Sequence, residues 1–375
     1  MRPSFPVACH LLPVLAGLLL PVFAPAAASA FPPDPSMEKA QAFAVAVRKV
    51  NEDHAAKPGT AKEDDLADRL PKEARRALDS LLAEKDSADL PAALLVAAGA
   101  TMDLDLEEDF ERVRARLEKA APEEAKKAGL LLSRPRFVLL GRDGVTREYL
   151  AGFAGILDGI LDAYDRVFGF EEWSKVPGKK IRVKVHLVDR ITSPPHFAPQ
   201  FPFHSEIDFP VLAEETLTSP TKQGQFQFYG LCHELGHVVA MLDRPDGTKE
   251  DHHQWADYTG NAVVEELSTR TPAPPWMEGM RDYPRWKGME RLRERVKEAK
   301  PALDGPQGVM RILVSLHDTA GPRAIGAAVN LLDRRDERLR VNRVRYYTFR
   351  EIRAALLEVV KDPDLRKKVA EILPE

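Results

Sequence analysis

The stretch of sequence that decides the fold and the chemistry is Tyr229–Met241, which reads YGLCHELGHVVAM. Its apolar residues recur at helical spacing, and we predict a helix over residues 225–242. His233 and His237 are four residues apart, so their imidazoles lie on one face of this helix, one turn from each other. Two imidazoles in this arrangement can bind the same divalent cation, and Zn²⁺ accepts neutral imidazole nitrogen at about 2.0–2.1 Å.

Glu234 directly follows His233 and lies about 100° around the helix axis. From that position its carboxylate reaches the open side of a bound cation, where it can take a proton from a metal-bound water of lowered pKa. Gly236 leaves room for another backbone to approach. The alternative is a surface helix that carries two histidines by chance. Against it, the helix is substantially apolar, and buried His and Glu side chains need partners. The apolar positions are Leu231, Leu235, Val238, Val239 and Met241.

A tetrahedral catalytic zinc site takes a third ligand from the protein. The next predicted helix, residues 251–270, offers Asp257 as the favoured ligand, with 19 residues between it and His237. Asn261 lies one turn further on the same face and is a candidate to hydrogen-bond a ligand imidazole. A site without a third protein ligand also stays open. The other candidate ligands are Glu265, Glu266, His252 and His253.

The motif His233-Glu-x-x-His237, followed by a helix with an acidic residue, resembles the zincin metallopeptidases and, within them, the gluzincin branch that includes thermolysin. The resemblance covers residues 133–332 and includes the order of the predicted elements. It implies that the two histidines bind zinc, that Glu234 is the general base, and that Asp257 stands at the third-ligand position. The family has Glu at that position. Asn261 stands where the family has a supporting acid.

The resemblance also implies an edge strand above the zinc that pairs with an extended substrate, and residues 204–211 are the candidate. An ordinary edge strand is the alternative. A group that stabilises the oxyanion is needed as well, and the sequence cannot choose among several candidates. Cys232 is expected to be a buried structural thiol. The oxyanion candidates are Tyr258, Tyr283, His252, His253 and His317.

The pattern along the chain predicts an α+β protein that is mainly helical. We expect a signal peptide over residues 1–30, a helical N-terminal region over 31–132, and a zincin-like domain over 133–375 with a small mixed sheet and a helical part from about residue 272. Residues 31–132 show helical periodicity, and no set of residues among them suggests a catalytic or binding site. Strands are predicted at 136–141 and 180–189, with a long amphipathic helix at 147–168 between them.

The first 30 residues have one charge, an apolar run that three prolines interrupt, and an Ala-Ser-Ala ending. This pattern is typical of a secretory signal peptide cleaved after Ala30, which predicts a secreted or periplasmic protein without a stable membrane span after cleavage. The 54 basic and 58 acidic residues are nearly balanced, which argues against a dedicated nucleic-acid binder. Removal of Cys9 with the signal leaves Cys232 as the only cysteine, so no intrachain disulfide is possible.

The sequence therefore predicts a secreted zinc-dependent peptidase that acts on a peptide or protein substrate through a metal-activated water, with Glu234 as general base. The first alternative is a non-catalytic zincin-fold module that keeps the metal for structure and binds a protein or a cell-wall component. A helical adaptor in which the histidine motif is accidental is the second alternative.

Overall fold

The computed structural model shows a mainly helical protein, as predicted, with a five-stranded sheet and a short two-stranded one. The predicted signal peptide, residues 1–30, lies outside the described part of the chain. The structure describes residues 34–56, 69–104, 106–141, 145–170, 181–186, 196–200, 204–210, 217, 222–239, 241–242, 253–270, 275–278, 287–298, 306–335 and 346–372.

The N-terminal region is helical, as the periodicity indicated. Pro71 precedes the second helix and Pro91 lies in the first turn of the third, positions where a missing N–H costs nothing. A predicted helix over residues 63–70 falls largely outside the described residues. The helices are α1 (Pro35–Ala56), α2 (Lys72–Leu82), α3 (Leu90–Asp103), α4 (Glu107–Ala120) and α5 (Pro122–Ala125), the last followed by a 3₁₀ turn at Lys126–Ala128.

The larger sheet has the strand order β1-β2-β3-β5-β4 and is mixed. The pairs β2–β3 and β3–β5 are parallel, whereas β1–β2 and β4–β5 are antiparallel. Helix α6 (Arg147–Val167) connects β2 to β3. Thr146 caps its start by accepting a hydrogen bond from the backbone N–H of Tyr149. The strands are β1 (Leu130–Ser133), β2 (Phe137–Gly141), β3 (Ile181–His186), β4 (His196–Gln200) and β5 (His204–Pro210).

Strand β2 is buried on both faces, which explains its continuous apolar sequence. Phe137 and Leu139 belong to the core formed with α6, whereas Val138 and Leu140 belong to the core formed by the N-terminal helices. The N-terminal region therefore covers the second face of the sheet. The domain boundary expected at residue 132 or 133 falls inside β1, because this strand pairs with β2.

The expected edge strand at residues 204–211 is wrong as an edge. Strand β5 pairs with β3 on one side and with β4 on the other, so β4 forms the edge. Pro210 is tolerated because it is the last residue of β5, where the missing N–H ends the ladder. Strand β4 contains Pro199, and a proline in a strand is found at sheet edges.

Helix α7 (Lys222–Val239) carries the histidine motif and packs on the face of the sheet that α6 also covers. The ring of Phe209 on β5 lies 4.7 Å from that of Phe153 on α6 and 5.8 Å from that of Phe228 on α7. Helix α8 (His253–Thr269) packs against both α6 and α7. The motif helix is thus held between the sheet and a second helix.

The C-terminal part is helical, and the two-stranded sheet joins β6 (Met241–Leu242) to β7 (Tyr346–Tyr347) in parallel. Among the helices of the described residues, none has the length and the apolar character that a membrane crossing requires. The remaining helices are α9 (Pro275–Glu278), α10 (Met289–Glu298), α11 (Pro306–Ala320), α12 (Pro322–Arg335), α13 (Phe349–Val359) and α14 (Pro363–Ile372).

Helix α12 meets the C-terminal end of α6 through a glycine. A Cβ at Gly326 would overlap the backbone carbonyl group of Phe168, whereas a Cβ at Gly155 on α6 would meet nothing within 4 Å. We expect Gly326→Ala to lower the free energy of unfolding by about 1–3 kcal/mol through overpacking. Gly155→Ala should raise it by about 0.5–1 kcal/mol through reduced chain entropy. Urea unfolding measures the change in the free energy of unfolding for each variant, and the two changes should have opposite signs. Equal changes would contradict the close contact at Gly326.

Candidate metal centre

The site begins with a close approach of the α7 and α8 backbones. A Cβ at Gly236 would lie 2.9 Å from the Cα atom of Ala256, and a Cβ at Gly260 would lie 3.1 Å from that of His233. The indole N–H of Trp255 donates to the carbonyl oxygen of Gly236 at 3.2 Å, which fixes the contact. The sequence-based expectation that Gly236 admits another backbone is confirmed, and that backbone is α8.

This approach brings three imidazoles together. The ring centroids of His233 and His237 are 5.0 Å apart, and the ring of His253 lies 5.6 Å from the first and 5.2 Å from the second. Nδ1 of His253 is 3.4 Å from Nε2 of His233. We call these residues the three-histidine cluster.

The cluster fits a metal ion. One nitrogen from each of the three residues lies within 4.8 Å of the other two. Zn–N bonds of about 2.0–2.1 Å at tetrahedral angles place neighbouring nitrogens about 3.3 Å apart, close to the separation between His253 and His233. His237 is only 4% exposed, whereas His253 is exposed. The cluster therefore has a buried side and a side that faces solvent.

Glu234 lies beside the three-histidine cluster. Its Oε1 atom is 4.0 Å from Nε2 of His233, the same nitrogen that faces His253. The carboxylate side chain is mostly buried, with 12% of it exposed. An acid at this distance is adjacent to the cluster without being one of its three grouped residues.

Asp257, the third ligand that the sequence favours, is not one of the three grouped residues. Its Oδ1 atom lies 2.8 Å from Nδ1 of His233, on the opposite edge of the ring from the nitrogen that faces His253. His253 precedes Asp257 by four residues on α8, and His253 is the residue that lies beside the two histidines of α7. Asp257, one turn later, contacts an imidazole of the cluster, which is the kind of contact expected for Asn261.

The other candidate ligands are also placed elsewhere. Glu265 pairs with Arg293 at 3.4 Å, and Glu266 pairs with Arg166 at 2.5 Å. His252 lies outside the described residues. Of the alternatives that the sequence left open, the structure brings only His253 to the two histidines of the motif among the described residues.

Asn261 does not contact a cluster imidazole through the hydrogen bonds of its amide nitrogen. Its side-chain amide donates to the hydroxyl of Tyr229 at 2.9 Å and to the backbone carbonyl of Asp257 at 2.6 Å. It therefore links α8 to the start of the motif on α7. The expectation that it would hydrogen-bond a ligand imidazole is wrong because Asp257 already occupies that position.

Charge reinforces the contact between His233 and Asp257. Burial disfavours the charged form of His233, but the hydrogen bond to Asp257 and the negative charge of Glu234 outweigh it, so the pKa of His233 is raised. Burial likewise opposes ionisation of Asp257, yet His233 and the charges of Arg295 and Arg291 bring its pKa below the usual value. Asp257 is thus an ionised acceptor that fixes Nδ1–H of His233 and directs Nε2 toward the cluster.

The oxyanion candidates separate in the structure. Tyr258 is fully buried, with its ring against those of Phe168 and Trp255, and its hydroxyl lies 3.2 Å from Nδ1 of His317. It therefore joins α8 to α11 in the core. His253 belongs to the cluster. Tyr283 and His252 lie outside the described residues.

Cys232 is buried, as expected for a structural thiol. Burial raises the pKa of this thiol far above its ordinary value, so it is held in the unreactive protonated form. The hydroxyl of Tyr164 donates to the backbone carbonyl oxygen of Cys232 at 2.5 Å and ties α7 to α6.

Comparison of the chain with protein-family models, with curated proteins and with solved structures finds no match. The interpretation of the site therefore depends on its own geometry and on the motif. The sequence missed His253 as the favoured partner, although its four-residue spacing from Asp257 was a usable signal. That spacing places His253 and Asp257 on one face of α8.

Whether His253 or Asp257 is the third ligand can be tested by the effect of each substitution on zinc affinity. Asp257→Asn removes the charge that supports His233 and is expected to weaken zinc binding by about 10–100-fold. His253→Ala removes a ligand nitrogen, and we expect a larger loss. Competition with a chromophoric chelator measures both dissociation constants. The reverse order of the two effects would make Asp257 the ligand.

The partly buried contact between His317 and Tyr258 predicts a pH effect on stability. Burial lowers the pKa of His317 from 6.5 to about 4, with Arg293 acting in the same direction and Asp318 opposing it. The unfolded chain therefore binds a proton between these values that the folded chain does not, and stability is lost as the pH falls from 6.5 to 4.

We expect this loss to be about 1–3 kcal/mol smaller in a His317→Gln variant, because glutamine does not titrate. Urea unfolding at pH 7 and pH 4 with chelator present, compared between the two proteins, measures the difference. Parallel pH profiles would contradict a His317 that stays neutral in the folded protein.

Proposed function

We propose that this protein is a zinc-dependent peptidase. The observation that carries the proposal is the three-histidine cluster, which has one solvent-facing side and the carboxylate of Glu234 beside it. Three protein nitrogens and one position for water are typical of catalytic zinc sites, whereas structural sites are closed by four protein ligands. Hydrolysis at an activated water is the chemistry that this arrangement suits.

Zinc is the proposed ion because of the donor set. His233, His237 and His253 are nitrogen donors, which suit zinc better than the oxygen-seeking ions Mg²⁺ and Ca²⁺. Imidazole also binds other transition metals, and the preference for zinc comes from its tetrahedral coordination and from the motif. We expect about one zinc per chain in purified protein.

The residues divide the work as follows. Bound zinc would supply a water of lowered pKa and polarise a substrate carbonyl group. Glu234 takes the proton from that water and returns it to the leaving amine. Asp257 accepts the Nδ1–H hydrogen bond of His233 and keeps Nε2 available to the metal. His237 would bind the ion from the buried side of the cluster.

A peptide substrate is proposed from the motif and from the sheet edge. Helix α7 contacts β4 and β5, and β4 is one of the two edge strands of the sheet. An extended peptide can pair with the outer edge of β4 and approach the cluster in the manner of β-strand addition. The role given above to residues 204–211 thus passes to His196–Gln200. Export through the signal peptide at 1–30 remains part of the proposal.

Glu234→Gln tests the proposed base. The amide keeps the size of the side chain but cannot accept the proton, so we expect zinc binding to persist and peptide hydrolysis to fall by at least about 10²–10⁴-fold. Hydrolysis of a mixed peptide library and zinc content are measured on the same preparation. Glu265→Gln on α8 is the matched control, since Glu265 pairs with Arg293 and not with the cluster.

The control variant should keep both zinc and activity. Activity in Glu234→Gln equal to that of the unchanged protein would rule out this mechanism. Stoichiometric zinc without turnover on any peptide would favour the non-catalytic module instead, and zinc well below one per chain would favour the helical adaptor.

A further inference from the structure

Helix α10 carries two arginines that reach the back of the candidate metal site. The guanidinium of Arg295 lies 3.5 Å from Oδ2 of Asp257. The guanidinium of Arg291 donates to the hydroxyl of Tyr229 at 3.4 Å and lies 6.0 Å from the centre of its ring. The same hydroxyl accepts the hydrogen bond from Asn261. The proposed chemistry uses neither arginine.

The two oxygens of Asp257 face different partners. Oδ1 contacts Nδ1 of His233 at 2.8 Å, and Oδ2 faces Arg295. A carboxylate with one partner can rotate about its Cβ–Cγ bond, whereas a partner on each oxygen fixes its plane. Because that plane sets the direction of the hydrogen bond to His233, the guanidinium on α10 influences how the imidazole is oriented.

The contacts of Arg291 act on the same two helices. Tyr229 lies one turn before His233 on α7, and Asn261 lies one turn after Asp257 on α8. The Tyr229–Asn261 hydrogen bond therefore joins α7 to α8 next to the contact between His233 and Asp257. The charge of Arg291 also stabilises the ionised carboxylate of Asp257.

We propose that Arg295 is a positioning residue for the metal site, supported by Arg291, and that it holds Asp257 in the orientation that directs His233 to the ion. This inference rests on the proposed function, because it assumes that the three-histidine cluster binds zinc. Arg295 acts through Asp257 and is not a catalytic residue.

The expected effect is modest because Arg295 is partly exposed, with 43% of its side chain accessible. Pairs of this kind contribute little by themselves, and we expect Arg295→Gln to weaken zinc binding by about two- to fivefold. That loss is smaller than the loss expected for Asp257→Asn. In Arg295→Lys, the retained charge should restore part of the affinity.

Arg293→Gln is the matched control. Arg293 lies on the same helix between the two arginines, but its guanidinium pairs with Asp318 and Glu265. Zinc dissociation constants of the full chain are measured by competition with a chelator, together with thermal unfolding of the metal-free proteins. The control should bind zinc as the unchanged protein does, and the metal-free forms should unfold at similar temperatures.

A double-mutant cycle with Asp257 decides whether Arg295 acts through this carboxylate. In the Asp257→Asn background, Arg295→Gln should cause no further loss of zinc affinity. Substitution of Co²⁺ for zinc adds a spectroscopic readout, because its visible absorption depends on ligand geometry. Arg295→Gln should shift that spectrum, and Arg293→Gln should leave it unchanged.

The outcomes separate this inference from the proposed function. Zinc affinity unchanged by Arg295→Gln, or lowered equally in the Asp257→Asn background, would overturn the positioning role while the metal centre stands. An unchanged protein that does not bind zinc would overturn both. Loss of hydrolysis in Glu234→Gln is measured separately and does not depend on Arg295.

Discussion

The site depends on the close approach of two helix backbones. Gly236 on α7 and Gly260 on α8 lie where a Cβ would press against the other helix, at Ala256 and at His233 respectively. Without this approach, the imidazole of His253 would lie too far from those of the motif to share an ion with them. The glycines thus determine the distance on which the proposed metal site depends, although neither contributes a side chain to it.

The approach also explains why an acid and a histidine one turn apart take different roles. His253 lies 3.4 Å from Nε2 of His233, while Asp257 contacts Nδ1 on the opposite edge of the same ring. One imidazole is therefore held from both sides. The second oxygen of Asp257 faces Arg295, so a chain of contacts connects the cluster to α10.

The sheet has a similar two-sided role in the fold. One face of the sheet packs against α6 and against the motif helix α7. The N-terminal helices cover the other face. The N-terminal region, which offers no candidate catalytic or metal-binding residues, thus packs against the strands that support the motif helix. Strand β2 shows this two-sided packing, because its successive residues alternate between the two cores: Phe137 and Leu139 lie in one, Val138 and Leu140 in the other.

The sequence by itself predicted the long helix α6, the helices α7 and α8, the strands β2, β3 and β5, and the face shared by His233 and His237, because periodicity and a four-residue spacing are local properties of the chain. It did not determine the third histidine, the role of Asp257 or the position of β4 at the edge. The sequence predicts helices at 225–242 and 251–270, but it does not predict how far one is shifted along the other. A shift of one turn decides whether His253 or Asp257 lies beside the two histidines of the motif. That shift depends on contacts between residues far apart in the chain, which only the tertiary structure decides.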